Sequence, residues 1–392
     1  MDKNEIIYLD NNSTTKVSKE VVEEIIGCCV MDYGNPSCSH VLGSEAASIV
    51  ELNRSICNET IGGTEYGRFY FTSGATESNN WVANNFFDCH YKTRILLNPI
   101  EHPSILEPFR DLEKRGFIEI KYLKIDSVGK VILESLNDYL TNNNDIILCS
   151  VMTANNETGI INDIEDIARI CRRQGISFHT DMTQALGKIK LPSLENVDFA
   201  SFSSHKIHGP KGVGGLFISN NVNYFNPLLF GGKQENMYRA GTENVSGIAG
   251  FGTACKHVLK NLSSNNLKMR ELKDIIEKDL KNLFYKYQIE HEYFSNIISK
   301  DWYLPNTLLF GFENLDSKNF INYLYDYGVC VSSGSACSEG TPLPSYVLKE
   351  IGYNDTLSSN TIRISISKDT SMEEIHKLLE VVENYFRKGK ND

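Results

Sequence analysis

Residues 197–212 read VDFASFSSHKIHGPKG. An apolar, alternating run ends in hydroxyls, a histidine and a lysine, and a turn rich in glycine and proline follows. The run has strand character over Val197–Ser201, and the lysine lies just past a strand, where α/β proteins build their sites. Outward from it, other short apolar runs take the same form: Phe69–Thr72, Ile95–Leu97, Ile146–Val151, Ile176–His179 and Gly215–Ile218. Between them, helical periodicity covers 17–30, 43–61, 76–88, 104–115 and 163–174. Strands alternating with helices predict βαβ units and an α/β fold whose mostly parallel sheet is covered on both faces.

Near residue 260 the texture changes. Residues 261–286, NLSSNNLKMRELKDIIEKDLKNLFYK, predict a long charged amphipathic helix, and short strands mix with helices beyond it. The expected organisation is an N-terminal arm over 1–15 packing with the small domain, a large α/β domain over 16–260 and a smaller α+β domain over 261–392.

With 41% hydrophobic and 23% charged residues in 392, the chain can bury a large core, which excludes fibrous and disordered classes. A net charge of −11 argues against nucleic acid as a direct partner. No apolar run reaches membrane-spanning length, and MDKNEIIYLD lacks the basic-then-apolar pattern of a signal peptide, so the expected home is the cytoplasm. The ten cysteines are scattered without a CxxC pair, as reduced thiols would be.

Five segments carry chemistry. Lys206 stands among Ser203, Ser204, His205 and His208. Partial burial would make it a Schiff-base nucleophile, and a solvated loop lysine is the bland alternative. In Ile176–Gln184 a strand ends at Asp181, which could hold a protonated pyridine nitrogen, as pyridoxal phosphate requires, or simply cap a helix. His179 and Asp181 lack a third ligand at metal spacing, so no metal site is expected. Phe71–Glu77 is a strand, a small-residue turn and a helix start, which is an anion site when its N–H groups are free. Cys337 stands in SSGSACSEGTP, residues 332–342, a loop composition that exposes a thiol. Thr361–Ser367, TIRISIS, predicts a half-buried strand with Arg363 opposite the isoleucines, fit for a carboxylate or for plain solvation.

Taken together and in this order, the segments resemble the class V aminotransferase family, specifically cysteine desulfurases of the NifS/IscS type. Tyr8–Thr15, Glu101-His102, Asn155–Gly159 and Arg239–Asn244 extend the resemblance over nearly the whole chain. It implies the PLP-dependent transferase fold type I and a homodimer with shared active sites. Lys206 would carry pyridoxal 5'-phosphate, Asp181 would pair with its ring nitrogen, and Gln184 would meet the phenolic oxygen. His102 would stack on the ring, with Asn155 beside cofactor and substrate. Ala75, Thr76, Ser203 and His205 would hold the phosphate, joined by Thr242 from the second subunit. Arg363 would bind the carboxylate of L-cysteine, with Asn12 nearby. Cys337 would receive the sulfur as a persulfide and pass it to an iron–sulfur scaffold or a sulfur-relay protein.

One departure is Lys233 in GGKQE, residues 231–235, where the family usually carries a third glycine. The length of SEGTPLPSYVL favours the long-loop group, which donates directly to scaffolds. A selenocysteine lyase or another class V transaminase or lyase would share Lys206 and Asp181 without needing Cys337. A non-catalytic scaffold protein with a vestigial site would need none of them.

Overall fold

The alternating runs become a wound sheet with helices on both sides. The computed structural model describes residues 6–87, 93–143, 145–295, 299–334 and 344–388. In chain order its elements are β1 (Ile7–Tyr8), α1 (Lys19–Met31), α2 (Val41–Thr60), β2 (Gly67–Thr72), α3 (Ala75–Ala83), β3 (Thr93–Leu97), α4 (Pro103–Lys114), β4 (Ile118–Tyr122), α5 (Leu133–Asn142), β5 (Ile146–Ser150), α6 (Ile164–Arg173), β6 (Ser177–Asp181), β7 (Phe199–Ser203) and β8 (Gly214–Ser219). Then come α7 (Val245–Tyr287), β9 (His291–Tyr293), β10 (Thr307–Phe312), α8 (Ser317–Asp326), β11 (Val329–Cys330), α9 (Tyr346–Ile351), α10 (Asp355–Ser359), β12 (Thr361–Ser365) and α11 (Met372–Lys388).

The central sheet has the order β2-β8-β7-β6-β5-β3-β4. β8 runs antiparallel to both neighbours, and the remaining pairs are parallel. Successive side chains point to opposite faces. Leu96, Cys149 and Ala200 pack with residues of α1, α2, α5, α6 and α7, whereas Ile95, Leu148 and Phe199 pack with α3 and α4. Covering both faces removes the polar half of each strand, which is why these strands read as apolar runs.

Sequence periodicity did not reveal β4 and α5. β4 is the edge strand and only Ile118 and Ile120 are buried, while α5 buries only Leu136 and Leu140. The helix expected over 76–88 stops at Ala83. Asn84 and Asn85 there turn their amides back onto the carbonyls of Asn80 and Trp81, a competition that ends helices.

The expected boundary between 260 and 261 falls inside α7, a continuous helix of 43 residues. Ile248, Phe251, Ala254 and Cys255 of its first half join the core of the large sheet. Met269, Leu272, Ile276, Leu280 and Phe284 join a second core with β10, β12, α8 and α11. The first half passes so close to α2 that a Cβ on Gly252 would lie 1.9 Å from Asn53 Oδ1, so only glycine fits. The second core is built on the antiparallel sheet β12-β10-β9 and on the parallel pair β1-β11, and Ile7 and Leu9 of the N-terminal arm are buried in it.

β12 corrects the half-buried expectation, since all five of its residues are buried. Ile362 and Ile364 face the second core, while bridges from Asp10 and Ser332 cover the strand beside Arg363. No helix among the described residues is long and apolar enough to cross a membrane.

Candidate active site

The parallel strands bring their carboxyl ends to one edge of the sheet, and a cavity of about 820 Å³ opens there. Thr72 at the end of β2 leads through Ser73 and Gly74 into α3. β3 leads to His102 at the start of α4, β6 ends at Asp181, and β7 ends at Ser203 ahead of Lys206. Ala75, Thr76, His102, Asp181, Gln184, Ser203, His205, Lys206, Arg363 and Asn12 all line this cavity. These residues are far apart in sequence; the order of the central strands brings most of them together, and the N-terminal arm and β12 add Asn12 and Arg363.

Lys206 Nζ donates to the carbonyls of Asn12 at 2.6 Å and Ser13 at 2.8 Å. The arm that provides them is clamped in turn. Thr15 donates its N–H and its Oγ1 hydrogen to the His205 carbonyl, both at 2.9 Å, and Thr14 Oγ1 meets His205 Nδ1 at 3.1 Å. Burial lowers the His205 imidazole to about 4, and the nearby charges of Lys206, Lys211 and Lys188 act in the same direction. His205 is therefore a neutral hydrogen-bonding group at neutral pH.

Asp181 is held at both oxygens. Asn79 Nδ2 donates to Oδ2 and the Thr183 N–H to Oδ1, each at 2.9 Å. The same Asn79 nitrogen donates to Ser104 Oγ at 2.8 Å, and Ser104 Oγ meets His102 Nδ1 at 2.8 Å. His102 also caps α4 by accepting from the Ser104 N–H, so the capping role and the place on the cavity wall belong to one side chain. Burial lowers its pKa, Asp181 opposes that shift and Lys206 adds to it.

Arg363 is not the solvated arginine that an alternating strand allows. It is 2% exposed. Its Nη2 donates to Asp10 Oδ1 and Ser13 Oγ, both at 2.8 Å, and Nη1 to the Asn156 carbonyl at 3.1 Å. Its Nε is buried without a partner among the described residues. Gln184 is engaged with the Asn12 carbonyl through Nε2 and with Lys188 through Oε1.

Two expected residues lie away from the cavity wall, and a third is outside the described residues. Asn155 is fully buried behind the wall, where its Oδ1 accepts from the N–H groups of Glu157 and Thr158, while its neighbours Asn156 and Glu157 line the cavity. Thr242 is exposed and outside this chain's own cavity. Cys337 lies outside the described residues, and the flanking Gly334 and Pro344 both line the cavity. The nitrogens of His179 meet the hydroxyls of Ser150 and Ser201, a buried structural arrangement. Among the described residues no cluster of three His, Cys, Asp or Glu could hold a metal.

Sequence reasoning gave no role to Asn79, Ser104 or Lys188. The available signal was spacing, since Lys188 stands four residues after Gln184 and Ser104 two after His102.

The family model Aminotransferase class-V matches residues 7–378. A cysteine desulfurase of Nostoc sp. (strain PCC 7120 / SAG 25.82 / UTEX 2576) is 36% identical over 379 residues, covering 96% of this chain and 92% of the relative. A cysteine desulfurase IscS of Methanosarcina thermophila is 34% identical over 392 residues, covering 99% of this chain and 94% of the relative. The solved structure of a NifS-like protein superposes with a TM-score of 0.87 at 36% identity, covering 97% of this chain and 99% of that one. Members of this family use pyridoxal phosphate as a general property. The donor set suits that group: an amine, a carboxylate fixed at both oxygens, a helix N-terminus and a neutral histidine around one cavity. The chain belongs to the class V aminotransferase family, alongside its cysteine desulfurases of the NifS/IscS type.

Proposed function

We propose that this chain removes sulfur from L-cysteine, releasing L-alanine and keeping the sulfur as a persulfide on Cys337. One observation carries the reading. Lys206, Asp181 and Arg363 share a single cavity whose wall includes both described ends of the segment bearing Cys337.

Pyridoxal phosphate bound here would supply an electron sink for charge developed at the substrate's α-carbon. Lys206 would hold it covalently and serve as the base that takes the α-proton. Asp181, kept in place by Asn79 and Thr183, would hold the proton at the ring nitrogen. The α3 N-terminus at Ala75 and Thr76, with Ser203 and neutral His205, would take the phosphate. His102 would line the ring. Arg363, fixed by Asp10, Ser13 and Asn156, would orient the substrate carboxylate. The Cys337 thiolate would attack the substrate sulfur. As the S–S bond forms, the C–S bond breaks, and the carbon keeps the electron pair and takes a proton.

The acceptor would be a protein thiol of an iron–sulfur scaffold or a sulfur relay. Leu229, Phe230 and Met237 are exposed beside the loop that carries Thr242, which supports a homodimer in which Thr242 completes the phosphate site of the other copy. The described cysteines are all free, as in a reducing cytoplasm.

The test is alanine and sulfide release from L-cysteine with limiting reductant. Cys337→Ala is expected to lose at least 100-fold in sulfide release, on the order of a missing nucleophile, while keeping the visible absorbance of the bound cofactor. Unchanged turnover in that variant would favour a selenocysteine lyase or another class V lyase.

A further inference from the structure

One buried amine has no part in the chemistry above. Lys188 is 5% exposed and lies one turn beyond Gln184. Its Nζ donates to Gln184 Oε1 at 2.5 Å. On the other side of that carboxamide, Nε2 donates at 2.9 Å to the Asn12 carbonyl, the same oxygen that accepts from Lys206 Nζ at 2.6 Å. An unbroken path therefore runs from Lys188 through Gln184 and Asn12 to Lys206.

The backbone around Lys188 is built for this placement. Its carbonyl accepts from Asn266 Nδ2 of α7 at 2.6 Å, and its N–H donates to the Ala185 carbonyl at 3.1 Å. Gly187 before it has φ 73°, and a Cβ there would lie 2.8 Å from Ile207 Cγ2. Glycine alone allows the turn to lie against the segment that carries Lys206.

Hydrogen-bond chemistry then sets the direction of the amide. A carbonyl only accepts, so Gln184 must turn its nitrogen to Asn12 and its oxygen to Lys188, whose amine donates in either protonation state. Without Lys188 the carboxamide loses the partner that holds its oxygen. Burying a lysine is costly, and a side chain retained at that cost without touching the cavity suggests a task performed through its neighbour. Burial lowers its pKa, and the charges of Lys206 and Arg363 add to the effect. His205 and His208 feel its charge in turn.

We propose that Lys188 is a positioning residue that acts through Gln184: it fixes that carboxamide so that its N–H edge serves the Asn12 carbonyl and the cofactor's phenolic oxygen, coupling that oxygen to Lys206. The proposal rests on the cofactor reading of the preceding subsection.

The experiment uses full-length protein loaded with pyridoxal phosphate. Visible absorbance is titrated against pH for the wild type, K188M, Q184A and the double variant, and melting is followed for the cofactor-free forms. K188M is expected to move the midpoint of the visible band by about one pH unit and to slow alanine release roughly tenfold. In the Q184A background the same change is expected to move the midpoint no further, because residues acting as one unit are not additive. An unmoved midpoint in K188M, or shifts that add in the double variant, would overturn the proposal. If K188M does not fold, K188Q replaces it: a smaller shift that disappears in the Q184A background is expected, and an additive one overturns it. A wild-type protein with no visible band at all would instead overturn the cofactor reading, a result distinct from an unmoved midpoint.

Discussion

Glu157 is a carboxyl in a place that disfavours its charge. It is 4% exposed, lines the cavity and accepts from Ser345 Oγ at 2.6 Å. Burial raises it from 4.5 to about 7, against the opposing pull of Ser345 and Arg363. Between these two values the folded chain keeps a proton that the unfolded chain releases. Stability therefore falls as pH rises through that window and levels off above it. Glu157→Gln keeps an acceptor for Ser345 but does not titrate. Urea unfolding at pH 5 and pH 8 should show the variant gaining about 3 kcal/mol on the wild type between the two conditions. A gap that stays constant would mean that the carboxyl is not held neutral. At this scale the sequence was legible where a reactive group stands at the end of an apolar run, and Lys206 and Asp181, singled out that way, both line the cavity. It was silent where function comes from burial. Nothing in TIRIS distinguishes an arginine in solvent from Arg363 buried against Asp10, because the arm that covers it lies 353 positions away.

Among the elements, the segment around Lys233 shows how a loop is tied to a strand. Glu235, 5% exposed, accepts from Arg54 Nη1 at 2.6 Å and Nη2 at 2.7 Å, and from the Phe71 N–H at 3.0 Å. It thus joins α2 to β2 just ahead of the turn that leads into α3. Glu235, Asn236 and Met237 follow one another with φ of 48°, 55° and 69°. Such left-handed residues cost roughly 1 kcal/mol each, and the buried ion pair offsets that strain. Truncating it leaves the buried Arg54 guanidinium only the more exposed Glu51 carboxylate at 3.0 Å and the Phe69 carbonyl at 2.9 Å, so Glu235→Ala should destabilise the cofactor-free chain by about 3 kcal/mol in urea. A loss below about 1 kcal/mol would show that the pair is solvated in the working protein. Lys233 itself is exposed beside this anchor, and its carbonyl accepts from the Met237 N–H at 3.3 Å. The inner strands were readable because both of their faces are buried, whereas edge strand β4 buries only Ile118 and Ile120 and gave no apolar run.

For the whole molecule, the decisive element is α7. A change in composition near 260 reads as a boundary between domains, yet the chain there stays helical and what changes is the surface it packs on. Its first half is surrounded by α1, α2 and the sheet and is apolar and small. Its second half is covered on one side only and is amphipathic. The cavity draws on both sheets, with Lys206 and Asp181 beside the large one and Arg363 on a strand of the small one, so a rigid connection keeps its walls in register. Ser263 lies near the junction and is exposed. Proline there removes one helical hydrogen bond and collides with the carbonyl four residues back, a cost of about 3 kcal/mol without disturbing either core directly. Ser263→Pro should therefore lower the melting temperature and separate the calorimetric transition of the two cores. It should also raise KM for cysteine more than it lowers kcat, because Arg363 would lose its fixed relation to Lys206. Ser263→Ala is the control, expected to melt within about 0.5 kcal/mol of the wild type. If the proline variant matched the alanine one in melting and in KM, the two cores would be held together by their other contacts, and the helix would be a connection rather than a brace.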